Sequence, residues 1–167
     1  MIRLAERDLE TTYGVFTEVL FYDGQSESIA LVMGDVSGAD NVICRIHSAC
    51  IGGHVFNSVE CTCREEMAAS QSAIAMAGRG VIVYLEQEGK GNGHLALLKS
   101  IPFKQQGYSQ AEAYAKASYP EDARDYRPAA AILTDLEVGS VVLLTENPGK
   151  AEDLTRFGVR VSAVQTL

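Results

Sequence analysis

The sequence predicts a mixed α/β (α+β) fold in which a β-rich N-terminal meander precedes an alternation of strands and helices. Three observations lead there. Runs at 14–22, 29–34 and 42–47 are rich in Val, Ile, Phe and Tyr, and turn-forming Asp-Gly and Ser-Gly-Ala-Asp segments separate them. Beyond residue 60, apolar runs at 80–85, 140–145 and 159–164 alternate with helix-like stretches, the pattern of a strand–helix layer. No repeat, low-complexity tract or Pro/Ser-rich linker interrupts the 167 residues, so 1–167 reads as one domain.

In chain order, the first three strands form a small antiparallel meander. Thr62 caps a helix running to about residue 77, with Met67, Ile74 and Ala75 near one face and Gly78 as its stop. The run at 80–85 is a buried strand. A glycine-rich loop at 87–93 (Gln-Glu-Gly-Lys-Gly-Asn-Gly) leads into a helix from 94 to about 100. Ser109 and Glu112 make a capping-box pattern that opens a short helix. A further helix covers 127–136, where Pro128 is tolerated in the first turn. The strand at 140–145 precedes a helix at 148–157 closed by Gly158, and 159–164 is the last strand.

Composition narrows the function classes. With 14 Lys+Arg against 22 Asp+Glu the net charge is −8, a poor balance for a nucleic-acid polymer, which needs clustered cations. A small phosphorylated ligand stays open, because a few cations and backbone N–H groups hold one phosphate whatever the net charge. No run approaches the roughly 18 apolar residues of a membrane span. The opening residues are too charged for a signal peptide, so no membrane partner and a cytoplasmic location are expected.

All four cysteines, Cys44, Cys50, Cys61 and Cys63, fall within twenty residues, which in a reducing compartment suggests metal before redox chemistry. Cys61 and Cys63 sit at a helix start, where the dipole favours thiolate, and Cys50 can complete a three-thiolate set. Three ligands with an open position describe catalytic zinc; a fourth ligand from His47 or His54 would describe structural zinc; buried free thiols are the remaining reading. Cys44 shares a strand face with Val42 and Ile46, the position of a packed core thiol. The loop at 88–93 offers backbone donors and Lys90. The run 145–150 places Thr145 and Lys150 at a helix start, so two strand-end loops can grip one polyphosphate. Asp122 and Arg124 pair a potential base with a phosphate-binding guanidinium.

Together, Arg-Ile-His-Ser-Ala-Cys at 45–50, Cys-Thr-Cys at 61–63, Tyr-Leu-Glu-Gln-Glu-Gly-Lys-Gly-Asn-Gly at 84–93, Asp-Ala-Arg-Asp at 122–125 and Leu-Thr-Glu-Asn-Pro-Gly-Lys at 144–150 resemble the GTP cyclohydrolase II family, in order and spacing over about residues 12–165. The resemblance implies that family's fold and a zinc-dependent hydrolysis. It opens the imidazole ring of GTP and releases C8 as formate and the terminal phosphates as pyrophosphate. It places Zn²⁺ on Cys50, Cys61 and Cys63. Asp122 takes the place of a proton acceptor and Arg124 that of a nucleophile at the α-phosphate. Nucleotide-binding positions fall on Arg45, Ile46, His47, Ser48, Glu66, Glu88, Gly89, Lys90, Thr145 and Lys150, with Mg²⁺ bridging the phosphates and a homodimer as the assembly.

Several motif positions depart from the family pattern. Ala49 replaces a Glu, Arg64, Glu65 and Glu66 replace Gly-x-Gln, Lys90 replaces an Arg and Gln110 a Thr, while Ile101 stands where the family keeps a Tyr. Losing that phenol removes a proton-transfer group and implies a reaction that stops at a formamide-bearing product. Two other readings stay open at this level: the same chemistry on another nucleotide, such as a uracil or modified purine nucleotide, and a catalytically inactive zinc protein that binds nucleotides.

Overall fold

A computed structural model describes residues 1–167. Seven strands, β1 (Ile2–Thr11), β2 (Gly14–Tyr22), β3 (Glu27–Met33), β4 (Val42–Ser48), β5 (Gly80–Leu85), β6 (Val141–Leu144) and β7 (Val161–Gln165), form one sheet in the order β1-β2-β3-β5-β4-β6-β7. The helices are α1 (Ile51–His54), α2 (Cys63–Ala77), α3 (His94–Gln105), α4 (Gln110–Lys116), α5 (Arg127–Asp135) and α6 (Pro148–Arg156). The sheet is antiparallel from β1 through β3 to β5 and parallel from β5 through β4 and β6 to β7.

Two expectations about the sheet need correction. The third strand does not close a meander: β5 inserts between β3 and β4, and β4 lies parallel to both β5 and β6. The physical reason is burial on both faces. Val42, Cys44 and Ile46 are enclosed on one side and Arg45 and His47 on the other, which suits a central parallel strand rather than a half-solvated hairpin. Residues 2–11, with no strand expected, form β1, paired to β2 from Ile2 opposite Tyr22 to Thr11 opposite Gly14. This edge strand is exposed along almost its whole length, so no period-two apolar signal marks it.

Helices cover both faces of the sheet. Val81, Val83 and Leu85 of β5 pack with Cys44 and Ile46 against Ala129, Ile132 and Leu133 of α5 and Leu154 of α6. Ile82 turns the other way, onto Phe16 and Ile74 of α2. The alternation places Cys44 in the core, as its strand face requires, and turns Arg45 toward α2. Gly78 ends α2 with φ +70°, and the Ser109–Glu112 capping box opens α4. Thr62 precedes α2 without capping its backbone. Its hydroxyl donates instead to Glu66 Oε1 at 2.7 Å. Helix α3 continues past residue 100 to Gln105 with Pro102 inside it.

Candidate active site

The parallel strands β4, β5 and β6 end on the same side of the sheet, and the loops that follow them carry the chemistry-bearing residues, the usual location for ligands on such sheets. Beyond β4, Cys50 precedes α1. Cys61 and Cys63 follow on the approach to α2, and the three Sγ atoms lie within 4.8 Å of one another. Cys50 and Cys61 Sγ are 3.6 Å apart, close to the roughly 3.8 Å edge of a zinc tetrahedron with 2.3 Å Zn–S bonds. The donor set therefore fits a metal ion. Gly53 makes room for it: a Cβ there would stand 2.8 Å from Cys61 Sγ and 3.2 Å from Cys63 Cβ. Burial and the neighbouring thiols push the Cys63 thiol well up, and burial raises Cys50 as well, so these two thiols keep their protons in the metal-free protein and must shed them to ligate.

Segment 61–66 forms a wall between two cavities. On one side, Cys50 and Cys61 line a mostly apolar cavity of about 450 Å³ with His94 and Ile101. On the other, Thr62 and Glu66 line a polar cleft of about 490 Å³ together with Arg45, Arg124, Thr145 and Lys150. The cleft gathers three cations in a chain whose net charge is −8, so the local field is opposite to the global one.

Each of these cations is positioned by backbone or carboxylate. Arg45, 6% exposed, donates from Nη1 to the Leu144 carbonyl at 3.0 Å and pairs through Nη2 with Glu66; its Nε has no partner. Lys150 is equally buried and donates to the Ile46 carbonyl at 3.0 Å. Burial, then the neighbouring Arg45 and Arg124, lower its pKa to about 7. Arg124 is held by Asp122, with Nε donating to Oδ1 at 2.9 Å and Nη2 to Oδ2 at 2.5 Å. Burial opposes ionisation of Asp122, but the bonds from Arg124 prevail and lower its pKa. Thr145 Oγ1 accepts from the Asn147 N–H at 3.0 Å, and the Asn147 side chain caps α6 through the Gly149 N–H.

The glycine loop is fastened to the segment that carries Arg124. Ala123 N–H donates to the Lys90 carbonyl at 2.9 Å, Asn92 Nδ2 to the Pro120 carbonyl at 2.9 Å, and Gln87 Nε2 to the Asp125 carbonyl at 2.5 Å. Gly91, at φ +81°, passes so close that a Cβ would lie 2.6 Å from the Ala123 carbonyl. Glu88 reaches back to accept from Ile51 N–H at 2.8 Å, joining the loop to the start of α1 beside Cys50. Gly89 is buried at a left-handed turn. Lys90 is half-buried and does not line the cation cleft.

His47 and His54 form a pair, Nε2 to Nε2 at 3.0 Å, and His47 stacks on Tyr84 with ring centroids 6.3 Å apart. Burial and then the Arg45 charge push His47 down to about 3, so it is neutral. The three-cysteine group that could hold a metal includes neither ring. Ser48 Oγ is buried without a partner, and the Ile46 contribution is its carbonyl. Three site features escaped sequence reasoning. They are the need for glycine at 53, the role of Thr62 as holder of Glu66, and His94 at the cavity wall. The Gly52-Gly53 pair between the cysteines was the available signal for the first.

The family model described as GTP cyclohydrolase II matches residues 2–166. The GTP cyclohydrolase-2 of Streptomyces coelicolor is 42% identical over 163 residues, covering 96% of this chain and 73% of that protein. The GTP cyclohydrolase-2 of Aeromonas hydrophila is 38% identical over 161 residues, covering 95% and 82%. The riboflavin biosynthesis protein RibBA of Bacillus cereus is 38% identical over 161 residues, and there the chain spans only 41% of the relative. Among solved structures, RibBX of A. baumannii, a two-domain 3,4-dihydroxy-2-butanone 4-phosphate synthase, superposes with a TM-score of 0.55 at 20% identity, over 99% of this chain and 40% of that one; this is a likeness of fold. No helix is long and apolar enough to cross a membrane. A match over nearly the whole chain, together with close relatives over most of their own length, shows that the chain is a hydrolase of the GTP cyclohydrolase II family.

Proposed function

We propose that this protein opens the imidazole ring of GTP by hydrolysis and releases pyrophosphate, with zinc on Cys50, Cys61 and Cys63 and Mg²⁺ accompanying the substrate phosphates. The observation that carries the reading is the single wall, residues 61–66, with a three-thiol cluster on one side and three cations on the other. A nucleotide laid across that wall places its base toward the thiols and its phosphates among Arg45, Arg124 and Lys150. Zinc, when bound, would supply Lewis-acid activation of water.

The chain's own residues account for binding and orientation. Lys150 and Arg124 meet the phosphates as point charge and planar fork, and Thr145 supplies a hydroxyl at the entrance to α6. Bonded to Asp122, Arg124 is a fixed cation; for it to attack phosphorus, Asp122 would have to take its proton, the role implied by the family resemblance. Arg45 is already paired with Glu66, so an arriving phosphate competes with that carboxylate or the carboxylate turns to the base. Glu88, Gly89 and Lys90 bind indirectly, by fixing the loop against Ala123 and α1. The homodimer expected for the family is part of the proposal and is checked by light scattering.

The test is product analysis by mass spectrometry after incubating zinc-loaded protein and Mg²⁺ with GTP, GDP, UTP, UMP and ATP. Pyrophosphate and an opened pyrimidine from GTP support the reading. Turnover of a uracil nucleotide alone moves the protein to a sister activity. Binding across the panel with no turnover refutes catalysis.

A further inference from the structure

We infer that His94 is the proton-transferring residue for the cleavage that frees the formyl group after ring opening; the inference rests on the GTP reading above. The cavity beside the thiol cluster brings His94 together with Cys50, Cys61 and Ile101. Ile101 has no proton to give. Arg124, held by Asp122, lines the phosphate cleft on the other side of the wall, so that pair is committed to the phosphate end. Histidine is the side chain that both accepts and donates a proton near neutral pH, and His94 is the only one lining this cavity.

Its ring is not placed at random. His94 opens α3 directly after Gly93, whose N–H donates to the Glu88 carbonyl at 2.9 Å, so the glycine loop fixes the point from which the ring projects. Nδ1 stands 3.9 Å from Glu88 Oε1, while Glu88 Oε2 is anchored by the Ile51 N–H. At that distance no hydrogen bond joins them, but the carboxylate charge faces the ring and steadies the imidazolium that forms during transfer. With the side chain 47% exposed, the ring is open to a ligand.

The step balances as a formamide hydrolysis. Water oxygen bonds to the formyl carbon and gives one proton to a ring nitrogen of His94. The carbon–nitrogen bond breaks, its electron pair stays on nitrogen, and His94 returns the proton to that nitrogen. The products are the free amine and formic acid, which loses its remaining proton to solvent water to become formate, and the imidazole ends as it began.

The experiment measures formate and pyrophosphate together from GTP, for the wild type, His94→Gln and His94→Ala. In both variants formate released per pyrophosphate should fall by roughly 100-fold, the lower end of general acid–base contributions. Pyrophosphate release should persist and the formamide should accumulate. Added imidazole should restore formate release to His94→Ala, which a merely structural role would not allow. Undiminished formate from His94→Gln overturns the assignment, as does a wild type that itself stops at the formamide. A wild type that releases neither product from GTP overturns the functional reading, and the inference falls with it.

Discussion

Lysine 150 carries the sharpest thermodynamic prediction. It is buried between Arg45 and Arg124, and its pKa falls from 10.5 to about 7. The charged form is therefore the disfavoured one in the empty fold. The unfolded chain binds the extra proton between those two values, so stability rises with pH across that window, and the penalty is fully present below about pH 7. At 1.36 kcal/mol per pKa unit the penalty is about 5 kcal/mol. Lys150→Met removes it and forfeits the bond to the Ile46 carbonyl, which offsets about 1–3 kcal/mol. The variant should thus be about 2–4 kcal/mol more stable than the wild type at pH 6.5, and its advantage should shrink by about 2 kcal/mol at pH 8.5. Denaturant unfolding of both proteins at both pH values checks this. The difference between them cancels Cys44, whose thiol, pushed up to about 12 by burial, lowers the stability of both proteins above about pH 9. A variant no more stable at pH 6.5, or a gap independent of pH, would refute the account. The same lysine should regain its proton when phosphates arrive. GTP binding at pH 8.5 should then take up about one proton, measurable by calorimetry in buffers of different ionisation heat.

Further outcomes follow from the cluster and the loop. Cys61→Ser should lose zinc and turnover together, whereas Arg124→Ala should keep zinc and lose turnover; metal analysis beside a pyrophosphate assay separates them, and hydrolysis by a verified zinc-free Cys61→Ser would overturn the metal assignment. Gly53→Ala, whose methyl would meet Cys61 Sγ at 2.8 Å, should weaken zinc binding about 10- to 100-fold, read by competition with a chelating dye. Gly91→Ala joins a left-handed backbone to a 2.6 Å clash with the Ala123 carbonyl, so it should lose about 1–3 kcal/mol of stability and most of its turnover, because the strand of chain it displaces holds Arg124. Zinc uptake by the metal-free protein should release protons and tighten as pH rises, since burial holds Cys50 and Cys63 in the thiol form; an indicator-dye titration that shows no proton release would contradict this.

Local signals in the sequence were strong wherever one short stretch decided the outcome. The capping box at Ser109 and Glu112, the left-handed stop at Gly78, the core face of Cys44 and the three-cysteine spacing all depend on neighbours a few residues away. The motifs also identified the family before any geometry was known. Strand β1 was illegible because its alternation carries charge on both faces, and its pairing to β2 depends on a partner strand rather than on its own pattern.

What the sequence by itself determined was every strand but β1, every helix but α1, and the spacing of the three cysteines, because capping, turn chemistry and periodicity act over a few residues. The tertiary structure alone decided that β5 slips between β3 and β4, that Glu66 pairs with Arg45, that Arg124 joins Arg45 and Lys150 in one cleft, and that His94 stands at the wall of the thiol cavity. These depend on burial or on partners distant in the chain, Arg45 and Glu66 being 21 residues apart. Sheet order, desolvation and ion pairs between distant segments arise only when the whole chain has packed.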